Sequence, residues 1–571
     1  MPRHLFLRVL ALLLAFALVA AACGDDDDDG TGTETTADDG GVTETDPEPA
    51  DDGSADDGAA ADDGASADDG AAADDGASED AAACDATVPG TQIDYGTFAP
   101  NRAFDPTRSS GALVGGTEIA AVYDVLFIFD PETGAIVPHL AESLEPNDDF
   151  TQWTLTLRDG ITYSDGTPLT AQLVSDNIDR YFEEGVTNTS GGFLQFITDR
   201  TVVDDLTLEM TLSTPIAEMG LIFADEPGMV VNTNAIGDDL DAFGVQPPDA
   251  AGLGPYIVER NVPGEETVLT ARQDYWGGPV CIETLRFVWI PGSQPTYEAW
   301  QNGDLNVAFL RDPVVIAASR EAGDEGFFFN QDGGLMYSFN HRPERGTSDP
   351  RVREAVSLAI DEAILNDRGY QGALAARKSY IGEGSRFFSD AVEAIPTDAE
   401  RAAELVEEAK ADGWDGTIQL EVQSSPPSPD IALAVEGMLE AVGIEVEPSV
   451  LPVGENIAKL GEGDFDVIQT GFNSGPGTGV LSLVRNLSST SPTNRNAYAS
   501  EEMDALLNEA LATPGAELAG VMAEINNLIN ADFVALPIGS LDEGIIWADG
   551  ISGIVPTVST IYLFHDAVIA Q

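Results

Sequence analysis

Residues 417–446 read TIQLEVQSSPPSPDIALAVEGMLEAVGIEV, and their periodicity sets the fold class. Ile418, Leu420 and Val422 alternate with Gln419 and Glu421, the period-two pattern of a half-buried strand. Ser428-Pro429 then opens a helix, with proline in the first turn where its missing N–H costs nothing. Ile431, Val435, Met438, Leu439 and Val442 fall on one face of it. Gly443 stops the helix, and Ile444-Glu445-Val446 begins the next strand. A strand, a helix and a second strand in this order form a βαβ unit. The pattern predicts an α/β protein with a largely parallel sheet covered by helices.

Working outward, the same alternation continues. Asp349-Pro350 supplies an N-cap and a first-turn proline, followed by the stripe Val352, Val356, Ala359, Ile360 and Ala363. Thr397 and Glu400 have the spacing of a capping box ahead of Ala402, Leu405, Val406 and Ala409. Toward the N-terminus, Trp153–Leu157 alternates as a strand and residues 168–182 read as a helix. Val268-Leu269 and Leu285–Ile290 read as strands, and Ser500–Ala512 and Glu517–Ala531 as helices. These apolar stripes are core positions.

Composition excludes several functions. The 571 residues carry 100 Asp+Glu against 25 Lys+Arg, a net charge of −75. Nucleic-acid phosphates and anionic lipid headgroups would be repelled. The four His and three Cys lie far apart without metal-ligand spacing, so neither a zinc site nor another metal centre is expected. No nucleophile elbow, phosphate-binding loop or metalloprotease motif occurs, no cofactor is expected, and an enzyme is disfavoured.

The N-terminus reads as an export signal over residues 1–22: Arg3, His4 and Arg8 precede an apolar run from Val9 to Ala22, too short to span a bilayer. Val19-Ala20-Ala21-Ala22-Cys23 resembles a lipoprotein cleavage site, with Ala20 where leucine is usual. The resemblance makes Cys23 the lipidated first residue of the mature chain. The segment from Gly24 to Ala83 holds 23 acids and no Lys, Arg or aromatic residue, and is expected to be an extended spacer. Cys84 and Cys281 remain, and in an exported chain that count predicts one disulfide.

Longer stretches carry a family resemblance. Leu140-Ala141-Glu142-Ser143-Leu144, Trp153–Leu157, Arg158-Asp159-Gly160-Ile161 and Ser164–Ala171 resemble, in order, the hallmark segment of family-5 extracellular solute-binding proteins of ABC importers. Gly252–Tyr256, Arg272–Gly278, Asn302–Leu305, Tyr337–Asn340 and Asp349–Asp361 resemble further segments of that family. The resemblance implies a two-lobed periplasmic-binding-protein-like fold (type II, cluster C) with a subdomain inserted in lobe I. After a linker over residues 23–87, lobe I is expected at 88–125, 237–330 and 535–571, the insertion at 126–236 and lobe II at 331–534. It further implies a monomer at the outer face of the cytoplasmic membrane, capturing a peptide or other small solute and delivering it to permease subunits. A sensory binding protein of the same fold is the alternative, and a surface hydrolase a remoter one.

By the same resemblance, ligand backbone pairs with two protein segments. One is Ser110-Gly111-Ala112, after Phe104-Asp105-Pro106. The other is Gly471-Phe472-Asn473-Ser474-Gly475, where Phe472 replaces the usual Trp and is expected to stack on an apolar ligand part. Gly475 stands where relatives place the Asp that receives a peptide ammonium. Ser424, after Val422-Gln423, stands where they place the Arg that receives a dipeptide carboxylate. Both ionic clamps of the dipeptide type are therefore expected to be missing. The implied ligand is a longer or modified peptide, or a non-peptide solute.

Overall fold

The computed structural model describes residues 84–570 apart from 110, 184, 189, 473, 474 and 476. Cys23, Ser110, Asn473 and Ser474 lie outside the described residues.

Ten strands form one sheet. In spatial order they are Glu445–Leu451, Thr417–Gln423, Val467–Thr470, Gly326–Phe339, Ala535–Trp547, Val307–Leu310, Val88–Thr97, Ile282–Trp289, Glu266–Ala271 and Tyr256–Val262. The βαβ unit forms as its periodicity requires. Strands 417–423 and 445–451 are parallel with Ile418 opposite Val446, and the helix Ser428–Ala441 buries Ile431, Val435 and Leu439. The sheet as a whole is mixed, which corrects the expectation of a largely parallel one. Strands 326–339 and 535–547 both pair antiparallel with their neighbours, because the chain passes along one and returns along the other.

A second sheet of four antiparallel strands, in the order 141–146, 152–157, 207–212, 197–202, lies within residues 126–236. Trp153, Leu155 and Leu157 point from it into a core shared with the helices Gly479–Leu487, Glu501–Ala512 and Leu518–Ala531. The N–H of Ala217 donates to the carbonyl of Leu511, and Arg386 pairs with Glu218 at 3.2 Å. The cleft between these parts is thus closed along this edge.

Two local expectations shift. Residues 168–182 form a helix only over Ala171–Arg180. Pro168 makes a bridge with Thr162, and Thr170 caps the first turn by accepting from the N–H of Leu173. Asp398, not Thr397 with Glu400, caps Ala399–Ala411. The Thr397 hydroxyl is taken by the buried ammonium of Lys378, which also donates to the carbonyls of Ser357, Ile360 and Pro396. Burial lowers the Lys378 pKa to about 8; its three N–H donors are shared among these four acceptors, with the Glu362 carboxylate 4.0 Å away.

Cys84 and Cys281 are bonded. The bridge sits at the start of the parallel pairing of strand 88–97 with strand 282–289, where the N–H of Val88 donates to the carbonyl of Cys281. Closing a loop with a sequence separation of 197 removes much unfolded-chain entropy. Replacing both cysteines by serine is expected to cost about 2–5 kcal/mol of stability, read by thermal or denaturant unfolding. Solute affinity should stay unchanged, because the bridge joins neighbouring strands and does not cross the cleft.

Candidate functional site

The long strands 326–339 and 535–547 lie side by side at the centre of the sheet. Their register breaks between Gln331 and Leu335, around Asp332-Gly333-Gly334. Gly333 has φ +57, and a Cβ there would meet the Tyr380 ring at 2.3 Å, so only glycine fits. Beside this irregularity a cavity of about 200 Å³ opens. Gly111, Leu113, Ser190, Phe193, Leu221, Ile222 and Asp225 line one side, and Ser559, Thr560 and Glu543 continue it. Gln331 and the helix 479–487, through Leu481, Ser482 and Arg485, line the other. Phe193 and Arg485 also line an adjoining cavity of about 570 Å³, walled by Tyr181, Phe196 and residues 484–493. Together they make one cleft between residues of the 181–225 region and the 479–493 segment.

The charges are specifically held. Asp225 is buried, and its Oδ2 accepts from the hydroxyls of Ser190 and Ser559, each at 2.8 Å. Glu226 is fully buried, and burial beside Asp225 pushes its carboxyl well above the usual range. Glu543 accepts from Gln331 Nε2 at 2.9 Å and faces Arg311 at 3.1 Å, while burial raises its carboxyl. Ser559 and Thr560 have φ +56 and +57. Two successive non-glycine residues in the left-handed region, one of them β-branched, mark a conformation held by its surroundings. Thr478 lies at the start of helix 479–487, whose buried face is Val480, Leu481, Leu483 and Leu487, and this anchoring leaves Arg485 directed to the cleft.

A second buried network fixes the floor of the 88–125 region. Asp124 accepts from Tyr275 at 2.8 Å and Trp276 at 3.1 Å and faces His139 at 2.7 Å. Burial works to raise the Asp124 carboxyl, yet His139, His565 and Tyr275 together carry it below the ordinary range. Tyr275 and Trp276 come from the 272–278 segment singled out in the sequence. Their part is structural support, since neither lines the cleft.

Residues 135–494, more than half of the chain, match the family described as bacterial extracellular solute-binding proteins, family 5. The chain belongs to this family. It is 24% identical over 459 residues to heme-binding protein A of Haemophilus influenzae, covering 74% of this chain and 82% of that one. It is 22% identical over 466 residues to the dipeptide-binding protein of Escherichia coli, covering 75% and 85%. Among solved structures, an oligopeptide-binding protein of Haemophilus influenzae in complex with the peptide RPPGFSPFR superposes with a TM-score of 0.69 at 18% identity, covering 85% of this chain and all of that one. The substrate-binding domain of an oligopeptide ABC transporter from Bacillus anthracis gives 0.71 at 16% identity, again over 85% and 100%. These likenesses show the periplasmic-binding-protein fold.

In this solute-binding protein the expected ligand residues are not all brought together. Gly111 lines the cleft, but its backbone is not a free strand edge. Its N–H donates to Glu226, and its carbonyl accepts from the N–H groups of Val114 and Gly116. Ala112–Val114 is a 3₁₀ turn. Strand-like pairing of ligand with Gly111 is thereby corrected: both of its polar groups are already used. Phe472, expected as a stacking surface, is 5% exposed and packs on Tyr380 with ring centroids 6.0 Å apart. Its N–H donates to the carbonyl of Gly333, which draws the side chain into the core. Gly475 lies behind the cleft lining, against Gln331. Gln423 and Ser424 end a strand away from it, with Ser424 exposed and its N–H donating to Leu451. Arg485, Asp225, Glu543, Ser559 and Thr560 were not legible as site residues, since no local motif marks them.

Asp332, next to Gln331 at the register break, accepts from the N–H of Gly382 and the hydroxyl of Ser385. Burial lifts its pKa to about 7. The folded protein therefore keeps a proton that the unfolded chain loses from about pH 4 upward. Stability should fall as pH rises through about 4 to 7 and level off above. Asp332→Asn, which has no such proton to lose, should flatten that slope in melting curves recorded across this range. An unaltered slope would exclude Asp332 as its source.

Proposed function

We propose that this protein captures a peptide-like solute between its two halves, outside the cytoplasmic membrane, and delivers it unreacted to an ABC permease. The lobes are taken as residues 88–125, 237–330 and 535–571 for one and 331–534 for the other, with 126–236 inserted in the first. The observation that carries this proposal is the cleft itself. Its walls come from residues far apart in sequence, Gly111 and Asp225 on one side and Arg485 on the other, meeting at the break between strands 326–339 and 535–547.

A pair of strands that loses register at Asp332-Gly333-Gly334 bends more readily there than a continuous ladder. Opening about this point separates the walls; a solute touching both favours the closed form by its differential affinity. Family membership, and relatives that include a heme-binding and a dipeptide-binding protein, support a binding role over an enzymatic one. The sequence Val19–Cys23 supports attachment through a lipid on Cys23, with the acidic segment to Ala83 as tether.

Two outcomes follow. Solute identified by native mass spectrometry of protein purified from its own cells, added back at saturation, should lower the radius of gyration in X-ray scattering and be recovered intact. Superimposable curves or hydrolysed solute would refute capture by closure. Cys23→Ser should move the protein from the membrane fraction to the soluble exported fraction; continued membrane retention would remove the lipid anchor from the account.

A further inference from the structure

The charges facing the cleft are unevenly served. Asp225 is held by two hydroxyls, and Glu543 by Gln331 and Arg311. Arg485 is half-buried and lines both cavities, yet among the described residues no carboxylate lies within ion-pair range of its guanidinium. A guanidinium keeps its charge at any working pH, and a charge withdrawn from water without a counterion is costly. The residue is also held in place: the hydroxyls of Ser491 and Thr493 both donate to its backbone carbonyl, at 2.7 and 2.9 Å. In a chain with four acids for every base, this cation faces the cleft beside Tyr380, with no carboxylate among the described residues to receive it.

We infer that Arg485 receives a carboxylate of the bound solute, and that this solute carries no free ammonium: an N-blocked peptide acid, or an acid of similar build, with an apolar body. The inference rests on the solute-binding proposal above and names its substrate class. A planar guanidinium matches a carboxylate through two parallel hydrogen bonds. Phosphate offers similar geometry, but its second negative charge would find no cation besides Arg485 among the described residues lining the two cavities. An ammonium would need an acid of its own. Asp225 and Glu543 are already engaged, and Gly475 offers no side chain. Phe193 and Phe196, stacked with centroids 6.4 Å apart, supply the apolar wall of the larger cavity.

The test uses the full chain and native mass spectrometry with three pools of mixed-sequence tripeptides: N-acetylated with a free carboxyl terminus, N-acetylated with an amidated terminus, and free at both ends. The N-acetylated acids should be retained at least about tenfold better than the amides. Arg485→Gln should lose that preference, and Arg485→Lys should recover part of it. Without peptide, Arg485→Gln should melt no lower than the parent, because it removes a half-buried charge that has no carboxylate partner among the described residues; a lower melting point would mean that Arg485 serves the fold instead. Equal retention of amides, or an unaffected Arg485→Gln, overturns the assignment and leaves solute capture standing. Preference for the free-amine pool overturns the blocked terminus. Retention of no pool, while scattering still reports closure on a growth-medium extract, overturns the substrate class alone; no closure either would sink both proposals.

Discussion

The pairing of strands 326–339 and 535–547 is the constraint on which the rest of the structure depends. They run antiparallel through the middle of the ten-stranded sheet, and each carries the chain between its two ends. A regular ladder along their whole length would be stiff. The break at Asp332-Gly333-Gly334 interrupts it where the cleft opens, and the carbonyl of Gly333 accepts from Phe472 while its N–H donates to Tyr380. One backbone irregularity thus positions Gln331 at the cavity and buries Phe472 behind it. Glycine is required there because a side chain would run into Tyr380.

Buried polar groups explain why the cleft keeps its shape. Glu226 ties down Gly111, the Ser190 and Ser559 hydroxyls tie down Asp225, and Gln331 ties Glu543 to the neighbouring strand. Each bond satisfies a group that would otherwise be costly to bury. The same bonds use the backbone N–H and carbonyl of Gly111, which are then not open to strand addition. On the proposal made above, ligand recognition falls to side chains, with Arg485 the cation that lines both cavities.

Family membership and cleft geometry set different limits. Membership fixes the fold and the kind of task. Membership leaves the choice of solute open. Specificity of this sort is a difference in free energy between solutes, and it changes with a single unpaired charge.

Much of this was legible in the residues. The alternation of Ile418, Leu420 and Val422, the cap at Asp349 and the stop at Gly443 are local effects, so the chain declares them locally. The cysteine pair was legible because only two candidates remained. Thr397 misled because its hydroxyl answers to Lys378, nineteen residues earlier, and not to its own helix. Phe472 misled because its burial depends on Gly333 and Tyr380. The cleft could not be read at all, since Asp225, Gln331, Arg485, Glu543 and Ser559 meet only when distant segments pack. Sequence periodicity determined the elements, and the motif stretches carried the family; tertiary packing decided which polar groups are used internally, because hydrogen bonds between distant segments have no signature in the local chain.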